Sequence, residues 1–311
     1  MKYLPINSDL FIKNRDLFSN KITGNDIAIF NSNDIMPTNA DGTMPFKQNN
    51  DLFWLSGVDQ EESVLVIYPN HPDKNMREIL FLKETNEHIA IWEGAKLSKE
   101  KAYKTSGIKT VFWLTELEKQ LNVLIPKSDA IYLNKNIHKR ASSRVQTRDE
   151  RFRLMINEKF KNKNIKESAP IMHELRCVKS ELEIKLIQTA CNITEKGLRR
   201  VLPIIKPGIM EYEIEAELIC EFLKNRSNGF SYQPIIGSGA DSCVLHYINN
   251  NKECKDGEIL LMDFGAEYAN YSSDLTRTIP VNGRFSKRQK AVYDSVLYVM
   301  KEATKMLRPG T

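Results

Sequence analysis

The chain has 311 residues, 41% hydrophobic and 27% charged, a composition that can bury a core and lies outside the low-hydrophobicity, high-charge regime of disorder. Its 45 Lys and Arg against 40 Asp and Glu leave a net charge of +5, too small an excess to imply a polyanion-binding face, so nucleic acid is not an expected partner. No run of about 18 apolar residues occurs and the N-terminus lacks an apolar stretch of signal-peptide length, so neither membrane insertion nor secretion is encoded and a cytoplasmic location is expected.

At about 100 to 200 residues per domain, the length suits two domains. In the first, Ala28-Ile29-Phe30, Val64 to Tyr68, Ile79 to Leu82 and Ala130 to Leu133 are short apolar runs with β-branched or aromatic content, as expected of strands buried in the mixed sheet of an α/β domain. The basic stretch from His138 to Arg153 contains one aromatic, Phe152, and reads as a solvated helix face rather than a nucleic-acid patch. Lys159 to Pro170 is polar, Lys/Asn-rich and closed by a proline, which makes it the linker candidate and sets domains of 1–170 and 171–311.

The second domain opens with a capping-box pattern, Ser180 with Glu183, ahead of an apolar face of Ile184, Ile187, Cys191 and Leu198 that ends near Pro203,. A second amphipathic run carries Ile214, Leu218, Ile219, Phe222 and Leu223, and a third, after Ser286 and Gln289, carries Val292, Val296, Val299, Met300, Ala303 and Leu307. All three are expected to face a core. The five cysteines (Cys177, Cys191, Cys220, Cys243 and Cys254) are odd in number and lack CxxC spacing, which argues against a disulfide framework and a thiolate zinc site.

The stretch from Glu258 to Pro280 reads as a hairpin about Glu267-Tyr268-Ala269-Asn270. With the turn centred between Tyr268 and Ala269, Asp263 falls directly opposite Asp274. Directly opposed residues have Cβ atoms about 4.5 to 5.5 Å apart, where like charges repel, unless cations about 3.5 to 4 Å apart compensate, as in two-metal hydrolases. The other reading has one Asp capping a turn and the other pairing with Arg277 or another cation. A register slip of one residue would put the two acids on opposite faces.

Asp263-Phe264-Gly265 followed by Tyr271-Ser272-Ser273-Asp274-Leu275-Thr276-Arg277-Thr278 resembles the metal-binding signature of the pita-bread aminopeptidase and prolidase family. Ser231 to Gly239 (SYQPIIGSG), Leu245-His246-Tyr247, Asn39-Ala40-Asp41, Phe46 to Gly57, Ile91-Trp92-Glu93-Gly94, and His173 to Arg176 with Lys179-Ser180 are similar to aminopeptidase P rather than methionine aminopeptidase. The resemblance implies an α/β N-terminal domain of the creatinase/aminopeptidase P type, followed by the first half of an α+β pita-bread domain. It implies that Asp263 and Asp274 ligate two divalent metal ions, Mn2+ being the implied identity, and that His246 hydrogen-bonds the substrate or developing oxyanion. Tyr232 is implied as a partner of a metal carboxylate, and Asp41 and Trp92 as borders of the substrate pocket, that of a neighbouring subunit in a homodimer or homotetramer. The implied substrates are peptides with proline in second position, which lose their N-terminal residue. Prolidase and a non-catalytic peptide- or partner-binding protein are the other readings.

One departure stands out. The family's second half supplies a His and two Glu, but after Thr278 this sequence has no His and its only Glu is Glu302. Two carboxylates leave hard cations short of their roughly six donors, so a polypeptide of these 311 residues is expected to be an incomplete chain that binds metal weakly and does not catalyse.

Overall fold

The computed structural model describes residues 2–141 and 143–311. It divides into two compact units, residues 3–180 and 181–311.

The N-terminal unit is built on six strands, β1 (Ile27–Asn31), β2 (Val64–Ile67), β3 (Glu78–Leu82), β4 (Thr110–Trp113), β5 (Ala130–Leu133) and β6 (Asn164–Glu167), ordered β4-β3-β2-β1-β5-β6 in space. The β1–β2 and β2–β3 pairs are antiparallel, and the β3–β4, β1–β5 and β5–β6 pairs are parallel. Its helices are α1 (Asp9–Ser19), α2 (Asn50–Ser56), α3 (Glu87–Glu93), α4 (Lys99–Ser106), α5 (Leu117–Leu124), α6 (Arg148–Lys159) and α7 (Ala169–Cys177). Successive strand residues point to opposite faces. Phe30, Leu65 and Leu80 pack with residues of α1, α2, α4 and α7, while Ile29, Val66 and Phe81 pack with residues of α5 and α6. Both faces are covered, which is why these strands read as continuous apolar runs rather than alternating ones.

Two strands depart from the sequence reading, and one lies in the proposed linker. β6 is an edge strand whose Lys166 pairs with Asp26 at 2.7 Å while Ile165 packs on the core. Lysine on an exposed edge blocks further strand pairing, and that polarity disguises the strand as a linker. Pro170 lies in the first turn of α7, where a missing N–H costs nothing, so the proline starts a helix. Met172 of that helix is 1% exposed within the N-terminal core, and the division between units accordingly falls after Ser180 rather than near 170. In the basic stretch, Thr147 and Glu150 form a capping box and α6 begins at Arg148. Arg151 and Arg153 pair with Asp34 and Glu167 at 2.7 and 2.8 Å, a helix face occupied by ion pairs.

Burial pushes the Asp149 carboxyl from its ordinary 3.8 up to about 6, with the Asp51 charge adding to the rise and a hydrogen bond from Asn31 opposing it. Between these two values the unfolded chain has released its proton and the folded one has not, so stability falls as pH rises through the window and is flat above it. At about 1.4 kcal/mol per unit, the Asp149→Asn variant is expected to gain at most about 3 kcal/mol in urea denaturation at pH 8 and little near pH 4. A gain that is the same at both pH values would refute this account.

The C-terminal unit contains α8 (Glu181–Val201), α9 (Glu211–Lys224), β7 (Gly229–Phe230), β8 (Ile235–Ser238), β9 (Ile259–Phe264), β10 (Ala266–Tyr268), β11 (Tyr271–Ser272), β12 (Leu275–Pro280) and α10 (Lys287–Met306). Its strands form two small sheets, β12-β9-β8 and β11-β10-β7. α9 buries Ile214, Leu218 and Phe222 of its expected face, while Ile219 is half-buried and Leu223 is exposed. α8 does not bury the face expected of it: Ile184 is 54% exposed and Cys191 is exposed, while Ala190, Ile193, Thr194, Gly197 and Val201 are buried. The helices pack closely at Gly197, since a Cβ there would lie 2.6 Å from the Phe222 ring, so a face that includes a glycine and a threonine is buried in place of the expected one. α10 also departs from expectation, because none of its residues is buried and Val296 and Val299 are each 64% exposed. Among the described residues no helix is long and apolar enough to cross a membrane.

Candidate metal centre

β9 to β12 form one long hairpin whose two-residue turn is Ala269-Asn270, with φ of 53° and 62°. Positive φ at both central positions gives the backbone twist that suits a tight hairpin. Tyr268 pairs with Tyr271, so the centre lies between Ala269 and Asn270, one residue beyond the expected position. Asp263 therefore pairs with Thr276, and Asp274 lies two positions from that partner, on the diagonal. Moving a turn centre by one residue moves every cross-strand partner by two, and a shift of two preserves the face of the sheet. The direct opposition is corrected, but the two acids keep a common side.

What brings the carboxylates together is Tyr232, just before β8, the strand that pairs Ile235 with Asp263. The Tyr232 hydroxyl lies 2.5 Å from Asp263 Oδ1 and 3.2 Å from Asp274 Oδ1. Burial, then the hydrogen bond to Asp263 and the two negative charges, push this phenol far above its ordinary range, so it keeps its proton and donates.

The hairpin is pinched at Gly265, between β9 and β10, where a Cβ would fall 1.8 Å from the Ser273 carbonyl oxygen. Beside it the Thr194 and Ser273 hydroxyls are 2.6 Å apart and buried, and both accept from the Ala266 amide, at 2.8 and 3.0 Å. This knot ties α8 to the residue preceding Asp274. Gly265 and Ser273 stand within the quoted motif without a role that spacing reveals. Thr194 carries no sequence signal, because its partner is 79 residues away.

Tyr232, Gln233, Ile235, His246, Ile248, Asp263 and Asp274 line an open cavity of about 450 Å³. His246 is exposed on the loop between β8 and β9. Asp41 and Trp92 belong to the N-terminal unit, where Asp41 is exposed and Trp92, on α3, is 80% exposed. Two carboxylates on one face fit the oxygen-donor half of a site for hard divalent cations. Among the described residues no group of three or more His, Cys, Asp or Glu accompanies them.

Residues 11–132 match the aminopeptidase P N-terminal domain and residues 185–311 match metallopeptidase family M24. The Xaa-Pro aminopeptidase of Escherichia coli K12 is 33% identical over 278 residues, covering 88% of this chain and 62% of that protein. The Xaa-Pro aminopeptidase of Haemophilus influenzae is 30% identical over 88% of this chain and 60% of its own length, so the chain spans about three fifths of these relatives. A structure of E. coli aminopeptidase P with the inhibitor Pro-Leu superposes with a TM-score of 0.89 at 28% identity, over 99% of this chain and 70% of that one. A zinc-substituted E. coli aminopeptidase P in complex with product gives 0.86 at 29% identity, with the same coverage of 99% and 70%. With the two family matches in the order of its two units and solved structures superposing along nearly its whole length, the chain belongs to the aminopeptidase P family of M24 metallopeptidases, an α/β N-terminal domain followed by pita-bread residues.

Proposed function

We propose that this chain contributes the two-aspartate half of a dinuclear site that releases the N-terminal residue from peptides with proline in second position. The observation that carries the reading is the common cavity of Asp263, Asp274, Tyr232 and His246. Bound between such carboxylates, two divalent ions would supply a hydroxide nucleophile at neutral pH, and Mn2+ is the proposed ion, with zinc accepted by one similar structure.

The chain's own residues have separable tasks in this reading. Asp263 and Asp274 hold the ions. The Tyr232 proton, shared between the two carboxylates, fixes their orientation, as hydrogen-bonded neighbours of metal ligands do. His246, exposed at the cavity, donates to the carbonyl oxygen of the scissile bond as charge develops there. Asp41 and the exposed Trp92 are proposed to border the pocket of a neighbouring subunit in a homo-oligomer. The Xaa-Pro aminopeptidase relatives favour this reading over prolidase or a non-catalytic binding protein.

The test uses native protein purified from its source cells, stripped with a chelator and reloaded with Mn2+. It is expected to remove the first residue of an X-Pro-Y tripeptide and to leave an X-Pro dipeptide intact, and Asp263→Asn and Asp274→Asn are each expected to abolish turnover. Dipeptide cleavage instead would assign prolidase, and no cleavage with metal bound would assign a binding role. A polypeptide of these 311 residues alone is expected to bind Mn2+ with a Kd no tighter than about 0.1 to 1 mM, the range of cation sites with few fixed charges. Micromolar binding in calorimetry would contradict that expectation.

A further inference from the structure

Glu211 opens α9 and is 0% exposed, yet no cation pairs with its carboxylate among the described ion pairs. A buried carboxylate of this kind is tolerated only when hydrogen bonds replace its water. Four do so: Ser238 donates from its amide and hydroxyl to Oε1, at 2.8 and 2.7 Å, and the Tyr247 hydroxyl and Lys252 amide donate to Oε2, at 2.7 and 3.0 Å. The Glu211 amide in turn donates to the Lys252 carbonyl at 2.9 Å.

These donors come from the start, the middle and the end of one segment, residues 238–252, which carries His246. The middle of that loop is otherwise exposed, with Leu245 at 88% against Tyr247 at 7% and Asn250 at 2%. Asn250 is the second peg. Its amide donates to Glu215, one turn along α9, at 2.8 Å and to the Pro234 carbonyl at 2.9 Å. The sequence therefore alternates what is gripped with what is presented: Tyr247 is held from behind by Glu211 and its neighbour His246 faces outward at the cavity.

We infer that Glu211 and Tyr247 are positioning residues that hold the 238–252 loop against α9, so that His246 stays at the two-aspartate cavity. The inference builds on the proposed role of His246, but the anchoring itself can be measured without substrate. In 15N relaxation on the 311-residue chain, Tyr247→Phe is expected to lower the order parameters of residues 244–249 from about 0.85 to below about 0.6, with the rest of the amide spectrum in place. Glu211→Gln, which has one acceptor oxygen for donors that used two, is expected to loosen the same residues and to speed exchange of the Ser238 and Lys252 amides at least tenfold. Tyr212→Phe, an exposed tyrosine on α9, should change neither.

Order parameters unchanged in both variants, with the remainder folded, would overturn the inference. If both variants failed to fold, the wild-type protein would decide, because Ser238 and Lys252 amides exchanging at random-coil rates would exclude the anchor. In the native enzyme Tyr247→Phe is expected to lower tripeptide kcat about 10- to 100-fold, the cost of a misplaced catalytic group, with KM within about twofold. A loosened loop with unchanged kcat would retain the anchor and remove His246 from the reaction, which separates failure of this inference from failure of the functional reading.

Discussion

Replacing Gly265 with alanine is expected to destabilise the C-terminal unit by about 3 kcal/mol or more, the largest effect of any single methyl group in that unit. The reason is the nature of the obstacle. The new Cβ would stand 1.8 Å from the Ser273 carbonyl oxygen and 2.5 Å from its carbonyl carbon, and both are backbone atoms of a residue whose amide donates to the Ala266 carbonyl at 3.1 Å. Overpacking typically costs about 1 to 3 kcal/mol when side chains can yield, and here the strands themselves must separate by more than an ångström. Gly197→Ala provides the comparison, because its Cβ meets the Phe222 ring at 2.6 Å, a side chain that can tilt. Urea denaturation should show the Gly265 variant much the weaker of the two. Equal losses, or a Gly265 variant close to wild type, would mean that the hairpin is not pinched as described. Asp274 follows Ser273 in sequence, so a variant that still folds should also lose the common Tyr232 contact of the two aspartates.

The second large effect lies in the N-terminal unit and is asymmetric. Arg15 on α1 is 0% exposed. Its Nη1 donates to the Leu55 carbonyl at 2.8 Å, and its Nε lies 3.0 Å from Glu78 Oε1 without the alignment of a hydrogen bond. Glu78, at the start of β3, has a side chain 30% exposed, so one charge is fully desolvated and the other retains water. Removing the partner of a buried ion leaves an uncompensated charge and costs about 3 to 5 kcal/mol, whereas replacing both members of a buried pair with apolar groups of similar volume is often neutral or stabilising. Glu78→Gln is therefore expected to cost about 3 kcal/mol in the unfolding of the N-terminal unit, at the low end because Glu78 is partly solvated. Arg15→Met leaves behind a carboxylate that water already reaches and is expected to cost less than Glu78→Gln, and adding it to Glu78→Gln should recover most of the loss,. If Arg15→Met were the more damaging change, the Leu55 contact and not the ion would be the essential interaction.

Several features of both units were legible without coordinates. The apolar runs of β1, β2, β3 and β5 announce a sheet covered on both faces, and α9 buries Ile214, Leu218 and Phe222 of the stripe its period predicts. The spacing of Asp263 and Asp274 about one tight turn puts them on a common face, a conclusion that survives the corrected turn centre because the error was an even number of residues,. Where the reading failed, the cause was physical in each case. β6 pairs on one edge and its one lysine is held by Asp26, α7 takes its proline into its first turn, and α8 meets α9 closely at Gly197, on a face other than that of Ile184 and Cys191.

Sequence alone determined the local quantities: where the hairpin turns to within one residue, which strands are apolar, and that two acids stand near that hairpin beside a motif shared with aminopeptidase P. The tertiary structure decided everything that depends on contacts between residues far apart in the chain. It set the Tyr232 hydroxyl against both aspartates across 31 and 42 residues, Thr194 against Ser273 across 79, and Glu211 beneath the loop of His246. Periodicity and propensity describe a residue's neighbours along one element, whereas such hydrogen bonds exist only once separate elements are packed, and no pattern within either element specifies its partner.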